Sequence, residues 1–185
     1  MAYLSYLGPN ASLLDIFGQD EARFSPLIPF VQSVMRGPSE FSHEEREILA
    51  AYVSALNSCN FCYAAHRAVA EDLSVDPLTI DMLVVDPEAA LLDAKLLPVL
   101  KLTRKLTNKP SSVTQRDVDA VVNAGWGEKA VEDLTCICGL FSLLNRLVDG
   151  VGIQSEGQNF EALAHTVRGA GYDALLSLAG APADG

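Results

Sequence analysis

The sequence predicts an all-α protein, a single-domain helical bundle that spans residues 1–185 and has a short flexible tail from about residue 180. Helix-capping residues recur along the whole chain, whereas no segment alternates apolar and polar residues in the manner of a strand. With 185 residues, of which 49% are apolar, the chain can bury a full core without disulfide bonds. Because neither a fixed-period repeat nor a domain linker interrupts the sequence, we expect one domain.

The first helices are predicted from cap and turn residues. Asn10 can cap a short helix that Gly18 ends. A second helix is expected from Ser25 to Arg36, with its end at the Gly37–Ser39 segment. Pro29 is expected to distort this second helix, because a proline inside a helix cannot donate a backbone hydrogen bond.

The middle of the chain carries three further start signals. Ser42 and Glu45 form a capping box that opens a helix extending to about Leu56. The dipeptides Asp76–Pro77 and Asp86–Pro87 each combine an N-cap residue with proline at the first helical position. We therefore expect a helix to begin at each of the two dipeptides.

The longest predicted helix lies in the C-terminal half. Thr114 starts a helix after the loop NKPSS, and a longer helix runs from Glu128 to Asp149. Two apolar stripes follow this longer helix, one made of Val131, Leu134, Cys138, Phe141 and Leu144 and the other of Cys136, Leu140, Leu143 and Leu147. A helix that is apolar on two faces is expected in the middle of a bundle or at a subunit interface.

Charge and hydropathy exclude several classes of function. The chain has 13 basic and 24 acidic residues and a net charge of -11, whereas nucleic-acid binding requires clustered Lys and Arg. No apolar run approaches the roughly 20 residues that span a bilayer. The first ten residues lack the charged and apolar regions of an export signal. We therefore expect a cytoplasmic protein that binds neither nucleic acid nor membranes.

Two cysteines and a histidine lie close together in the stretch SALNSCNFCYAAHRAV. At roughly 100° per residue, Cys59, Cys62 and His66 fall at about 0°, 300° and 340° on one face of a helix. Asn57 and Ser58 are good N-cap residues, so a new helix can begin there and place the cysteines near its first turn, where a thiolate is favoured. Residues three apart on a helix are also within reach of a disulfide bond. The pattern therefore indicates a redox-active pair.

Two other interpretations of this cluster are open. The three side chains could simply be buried in the core, or they could bind zinc. The difficulty for zinc is that Cys59 and His66 are about 10 Å apart along the helix axis, and no fourth ligand is evident. We expect no bound metal and no cofactor.

The other cysteines and histidines give weaker signals. Cys136 and Cys138 face nearly opposite ways on one helix, so we expect them to be unpaired and buried. His43 and His165 are isolated in the sequence and are expected to be surface or core residues.

Glu47 precedes Cys59 by twelve residues and belongs to a longer pattern with the two cysteines and His66. The string from Glu47 through Cys59-x-x-Cys62-x-x-x-His66 resembles the signature of the alkylhydroperoxidase D-like branch of the carboxymuconolactone decarboxylase superfamily. Residues 41–66 match this signature almost throughout, and residues 141–153 are similar to a later segment of the peroxidase-related proteins in that family. The resemblance implies an all-helical fold, a homo-oligomer such as a trimer or hexamer, and thiol-dependent reduction of peroxides.

The resemblance also implies roles for the four residues. Glu47 would orient His66, and His66 would act as a base toward Cys62, whose thiolate would attack a hydroperoxide. Cys59 would then form a disulfide with Cys62, and a dithiol reductant, lipoyl-bearing or thioredoxin-like, would reopen it. Proximity to a helix terminus favours Cys59 as the reactive thiolate, whereas proximity to His66 and the resemblance favour Cys62. We expect Cys62 to attack.

Glu47 shares its helix face with small residues, Ala50, Ala51 and Ser54, which leave room for a buried acid beside the cysteine helix. In one respect the chain departs from the family, since Phe61 stands where the member best known for peroxidase activity has tyrosine.

Two alternative functions follow from the same residues. A decarboxylase-like, non-redox enzyme would use His66 and Glu47 for proton transfer at carbon, and an oligomeric scaffold would use the cysteines for a structural zinc.

Overall fold

Helices make up the regular structure in the computed structural model, which describes residues 2–88, 90 and 92–179. In that part of the chain there are eleven α-helices, two short 3₁₀ helices and no strand. The α-helices are α1 Leu13–Gln19, α2 Glu21–Phe24, α3 Leu27–Arg36, α4 His43–Leu56, α5 Asn60–Asp72, α6 Pro77–Val85, α7 Leu97–Asn108, α8 Gln115–Asn123, α9 Glu128–Gly150, α10 Phe160–Ala170 and α11 Ala174–Ala179. The 3₁₀ helices are Ala94–Leu96 and Pro110–Ser112. The all-α prediction is confirmed, whereas the expected tail from about residue 180 lies outside the described residues.

Helix α4 lies at the centre of the bundle. The consecutive residues Arg46–Ser54 are all buried, so the helix has no solvent face over more than two turns. Ala50 and Ala51, both 0% exposed, let neighbouring helices approach closely. Helix α5 packs against α4 on one side and against α10 on another. The helix that follows the first cysteine is therefore enclosed between two others.

Helix α9, the longest, packs against α3, α4, α5, α7 and α8. Its first apolar stripe is almost entirely buried, but on the second Leu143 is 46% exposed. Helix α9 therefore lies within the bundle beside α4, as expected, and only part of its second stripe is exposed. The position at a subunit interface stays a prediction. None of the described helices is both long and apolar enough to cross a bilayer.

Several predicted helix ends are confirmed. Ser42 and Glu45 form the expected capping box, in which the Glu45 N–H donates to Ser42 Oγ at 3.2 Å and the Ser42 N–H to Glu45 Oε2 at 2.7 Å. Asp76 caps α6, Thr114 caps α8, and α9 begins at Glu128. Helix α3 ends at Gly37, as expected.

The start of α1 differs from the prediction. Ser12 rather than Asn10 is the N-cap, because Ser12 and Asp15 bind each other's backbone N–H groups in a capping box. The helix also continues through Gly18 to Gln19. A reciprocal pair satisfies two N–H groups, which a single Asn side chain cannot do.

The segment predicted as one helix from Ser25 to Arg36 begins differently. A short helix, α2, ends before Ser25, and α3 begins after Pro26 because proline has no N–H to continue the preceding turn. Pro29 is the third residue of α3, where a backbone N–H has no acceptor within the helix. The expected distortion at Pro29 is therefore wrong.

No helix begins at Asp86–Pro87. Asp86 instead ends α6, and its side chain accepts a hydrogen bond from the Glu88 N–H at 3.0 Å in a local turn. The next regular structure is the 3₁₀ helix capped by Asp93, which leads into α7. Helix α10, which begins at the Asn159 cap, was not predicted.

Candidate active site

The first cysteine lies in the tight turn between α4 and α5. Asn57 is the C-cap of α4, and Ser58 has a left-handed backbone with φ of 62°. The Cys59 N–H donates to the Ser54 carbonyl at 2.9 Å, and the Cys59 carbonyl accepts from the Tyr63 N–H at 3.0 Å. Cys59 itself is therefore the N-cap of α5. The prediction that Asn57 or Ser58 would cap this helix is wrong, because the turn uses both residues.

The start of α5 at Asn60 gives the two cysteines similar positions relative to the helix dipole. Cys62 is the third residue of α5 and Cys59 immediately precedes the helix, so both lie at its N-terminus. The helix dipole therefore does not single out Cys59. Cys59 is 0% exposed and Cys62 is 4% exposed, and both are free cysteines.

The two cysteine side chains are adjacent, and neither is in a disulfide bond. The neighbouring Cys62, together with burial, raises the pKa of Cys59 far above the usual value for a thiol. Cys59 is therefore a protonated thiol at neutral pH.

Glu47 and His66 meet in the core, as the sequence pattern led us to expect. Glu47 on α4 is 0% exposed, and its Oε2 lies 2.7 Å from Nδ1 of His66 on α5. The His66 ring packs edge-on against Phe141 of α9, with ring centroids 4.4 Å apart. The histidine is thus fixed by a carboxylate on one side and an aromatic ring on another.

Two residues that the sequence analysis missed complete the surroundings of Glu47. Nη2 of Arg36 lies 2.6 Å from Glu47 Oε1, and the hydroxyl of Tyr172 lies 2.9 and 3.0 Å from the two carboxylate oxygens. Burial by itself would raise the pKa of Glu47, but the bonds from His66 and Arg36 hold it below its ordinary value. Glu47 is therefore an ionised carboxylate in the core.

A cavity of about 400 Å³ opens beside Cys62 and His66. Its wall is mainly aliphatic and aromatic, and the side chains that form it include Leu14, Phe17, Ile28, Val31, Phe61, Val69, Phe141, Leu144, Phe160, Leu163 and Val167. Tyr172 also lines it, but Cys59 does not. The exposed residues of the lining, Asn159 and Ala162, belong to the start of α10 and mark the mouth.

Phe61 belongs to the wall of the cavity. Its ring packs edge-on against Phe160, with centroids 5.3 Å apart. Tyr63 points away, as expected, and its hydroxyl donates to Asp81 at 2.8 Å. The phenol beside His66 comes instead from Tyr172, whose hydroxyl is 3.3 Å from Nδ1.

The remaining cysteines and histidines lie elsewhere. Cys138 is buried and Cys136 is half-buried, and both are free. His43 is exposed, and His165 is an exposed residue whose Nδ1 lies 2.9 Å from Asp72. Over residues 2–88, 90 and 92–179, no group of three or more His, Cys, Asp or Glu side chains is arranged to hold a metal ion.

A physical argument could have predicted a basic partner for Glu47, but neither its identity as Arg36 nor the contact with Tyr172. A buried carboxylate requires a cation or several hydrogen-bond donors, so a basic partner for Glu47 was to be expected. The chain has 13 basic residues, however, and their order in the sequence does not show which one reaches Glu47.

Comparisons with known proteins place these residues in a family context. Residues 27–105 match the model of the carboxymuconolactone decarboxylase family, and this segment includes Arg36, Glu47, both cysteines of the pair and His66 but not Tyr172. None of the curated proteins matches the chain.

Two solved structures are similar over most of the chain. An uncharacterized peroxidase-related protein from Silicibacter sp. TM1040 is 27% identical, with a TM-score of 0.73 over 79% of this chain and 78% of that one. An uncharacterized peroxidase-related protein from Ralstonia eutropha JMP134, described as an alkylhydroperoxidase AhpD core, is 21% identical, with a TM-score of 0.74 over 80% of this chain and 78% of that one. The second likeness concerns the fold alone.

Proposed function

We propose that the chain, whose residues 27–105 match the carboxymuconolactone decarboxylase family and which is similar to a peroxidase-related protein, is a thiol-dependent peroxidase that reduces alkyl hydroperoxides. One observation carries the proposal. Cys62 and His66 line the same apolar cavity, while Cys59 is adjacent to Cys62 and lies outside the lining. A reactive thiol with access to substrate and a second thiol directly behind it are the two groups that this chemistry requires.

The first step is the formation of a thiolate. His66 donates its Nδ1–H to Glu47, which leaves Nε2 as the nitrogen that can accept a proton. That nitrogen takes the proton of the Cys62 thiol, directly or through one water molecule. The N-terminus of α5, where Cys62 is the third residue, favours the resulting negative charge on Cys62.

The second step is attack on the peroxide. The Cys62 thiolate attacks the terminal oxygen, so that an S–O bond forms as the O–O bond breaks. The electron pair of the O–O bond leaves with the alkoxide, which takes a proton from His66 and departs as an alcohol. The cysteine sulfur is oxidised to a sulfenic acid, and the peroxide is reduced.

The third step forms a disulfide between the two cysteines. The sulfur of Cys59 attacks the sulfur of the Cys62 sulfenic acid, an S–S bond replaces the S–OH bond, and water leaves. A dithiol then reduces the disulfide by thiol exchange and is itself oxidised to a disulfide. We propose a lipoyl-bearing or thioredoxin-like protein as this reductant.

The cavity supports an apolar substrate. Aliphatic and aromatic side chains dominate the wall, and Cys62, His66 and Tyr172 are among its few polar residues. An alkyl or aryl hydroperoxide would place its carbon skeleton against the wall and its O–O group beside the thiol. Exclusion of water from such a site strengthens the electrostatic interactions that act on the reacting atoms.

The decarboxylase-like alternative uses Glu47 and His66 but leaves the two thiols without a task. Within the described cavity lining there is no Lys or Arg, and a substrate with carboxylate groups would need such a partner. The alternative of a structural zinc lacks a ligand set in the described part of the chain. Both observations favour the peroxidase.

Turnover measurements test the proposal. Purified protein is supplied with tert-butyl hydroperoxide, cumene hydroperoxide or hydrogen peroxide, together with dithiothreitol, dihydrolipoamide or a thioredoxin system. We expect turnover with an organic hydroperoxide that is lost when the thiols are alkylated beforehand. Absence of peroxide consumption by the reduced protein, even for a single equivalent, contradicts the proposal, and activity that survives alkylation favours the decarboxylase-like alternative.

A further inference from the structure

The carboxylate of Glu47 is fully occupied by donors from three other elements. Arg36 at the end of α3 binds Oε1, His66 on α5 binds Oε2, and the Tyr172 hydroxyl reaches both oxygens. None of these contacts is with solvent, because Glu47 is 0% exposed. A carboxylate bound at both oxygens cannot rotate about its terminal torsion without breaking a charge-assisted hydrogen bond.

Tyr172 is itself held at two points by α3. Its backbone N–H donates to Gln32 Oε1 at 2.7 Å, and the guanidinium carbon of Arg36 lies 4.9 Å from the centre of its ring. Gln32 and Arg36 are one helical turn apart, so both project from the same face. Gly171, with φ of 70°, allows the chain to make this close approach, since a Cβ there would lie 2.7 Å from Gln32 Oε1.

The charges in this cluster are balanced. Arg36 carries a permanent positive charge, so it compensates the buried Glu47 without requiring a charge on His66. Burial and the adjacent Glu47 raise the pKa of Tyr172 well above its ordinary value, which keeps the phenol protonated and able to donate. Glu47 is then the acceptor in all three bonds, and Nδ1 of His66 is the donor toward it.

We infer that Arg36 and Tyr172 are positioning residues, which hold Glu47 in the one orientation that keeps the His66 proton on Nδ1 and leaves Nε2 free toward the cavity. In a neutral imidazole, the hydrogen bond made by one nitrogen decides the state of the other. Arg36 acts through Glu47, whereas the Tyr172 hydroxyl lies beside both the Glu47 carboxylate and Nδ1 of His66. The effect on rate rests on the proposed peroxidase function, but the effect on the histidine tautomer does not.

The test compares four variants. Tyr172→Phe removes one hydroxyl from the cluster, Arg36→Gln removes the cation, and Arg36→Lys keeps the charge without the guanidinium geometry. Tyr52→Phe is the matched control, because Tyr52 is also buried and its hydroxyl accepts from Arg104 at 2.8 Å, but it does not contact Glu47.

The primary readout is the tautomer of His66, measured by nitrogen-15 NMR of histidine-labelled protein at a pH where the ring is uncharged. The chain has three histidines, and the other two are exposed, so a His66→Asn variant assigns the signal. We expect the Nδ1–H tautomer in the natural protein and in Tyr52→Phe, and a mixture of tautomers in Tyr172→Phe and Arg36→Gln. Arg36→Lys should lie between these.

The second readout is consumption of the first equivalent of cumene hydroperoxide. We expect this consumption to slow on the order of tenfold in Tyr172→Phe and more in Arg36→Gln, since misplaced catalytic groups lose rate without loss of binding.

Tyr172→Phe with an unchanged tautomer and rate would overturn the inference, even if its melting temperature falls. If Arg36→Gln does not fold, Tyr172→Phe and Arg36→Lys decide. A changed tautomer in a protein whose natural form consumes no peroxide would retain the inference and reject the peroxidase function.

Discussion

Cys59 and Cys62 are adjacent at the N-terminus of α5, yet only Cys62 lines the cavity. This asymmetry agrees with the expectation that Cys62, rather than Cys59, is the attacking thiol. The thiol with access to the cavity can meet a peroxide, and the thiol behind it can form the disulfide.

Substitution of each cysteine tests these roles. In Cys62→Ser, we expect no consumption of peroxide, because the attacking sulfur is absent. In Cys59→Ser, about one equivalent should be consumed before turnover stops at a sulfenic acid, which dimedone can trap and mass spectrometry can locate. The reverse pattern would assign the attack to Cys59, and unchanged consumption in both variants would reject the redox mechanism.

His66→Ala should slow the consumption of the first equivalent of peroxide about 10²-fold or more, because the proposed general base is absent.

Mild oxidation should form a reversible bond between Cys59 and Cys62 and leave Cys136 and Cys138 free. Burial raises the pKa of Cys138 to about 12, so this thiol should also react slowly with iodoacetamide at neutral pH. Peptide mapping before and after treatment with a reductant locates the bond. A dominant disulfide that involves Cys136 or Cys138 would contradict this prediction.

The mouth of the cavity offers a test of substrate access. Ala162 is exposed in the first turn of α10 and belongs to the cavity lining, so Ala162→Trp should narrow the mouth. We expect a several-fold loss of the specificity constant for cumene hydroperoxide and a smaller loss for hydrogen peroxide. Ala120→Trp, at an exposed position on α8, serves as the control. Equal losses for both peroxides would mean that substrate does not enter past α10.

The buried charge of Glu47 predicts how stability depends on pH. Because the folded pKa of this carboxyl is lower than the unfolded value, ionised Glu47 stabilises the protein above about pH 4.5, and that contribution disappears as the pH falls through the folded pKa. Glu47→Gln should therefore lower the free energy of unfolding by about 3 to 5 kcal/mol at pH 7, because Arg36 loses its partner. The difference from the natural protein should shrink below about pH 4.

Urea unfolding at pH 7 and at lower pH measures this difference. Glu132→Gln provides the control, since Glu132 forms only an exposed ion pair with Lys129, and it should cost less than about 1 kcal/mol. A constant difference between Glu47→Gln and the natural protein at every pH would show that the carboxylate charge does not contribute.

The chain is expected to form a homo-oligomer, such as a trimer or hexamer. Large apolar side chains remain exposed on the single chain, among them Leu78 at 60%, Val85 at 79% and Leu143 at 46%. Exposed apolar groups on several helices favour association with further copies. Light scattering at micromolar concentration should therefore give a mass several times that of one chain, and a monomer would contradict this expectation.

The sequence determined the helical fold and much of its local detail. Capping pairs such as Ser42 and Glu45 specify helix starts because both partners lie within one turn, where no tertiary contact is needed. The same local reasoning fails where two caps compete. Ser12 with Asp15 forms the cap expected of Asn10, and Asp86 closes a turn instead of starting a helix.

Only the tertiary structure decided how the site is completed. Spacing on one helix placed Cys62 and His66 near each other, and a pattern in the sequence suggested Glu47. Arg36 and Tyr172, by contrast, come from distant parts of the chain, and their contact with Glu47 depends on how α3, α4 and the turn after α10 pack. Any buried carboxylate needs a cation or hydrogen-bond donors, so a partner for Glu47 can be anticipated from the sequence. Which residue becomes that partner depends on how the helices pack.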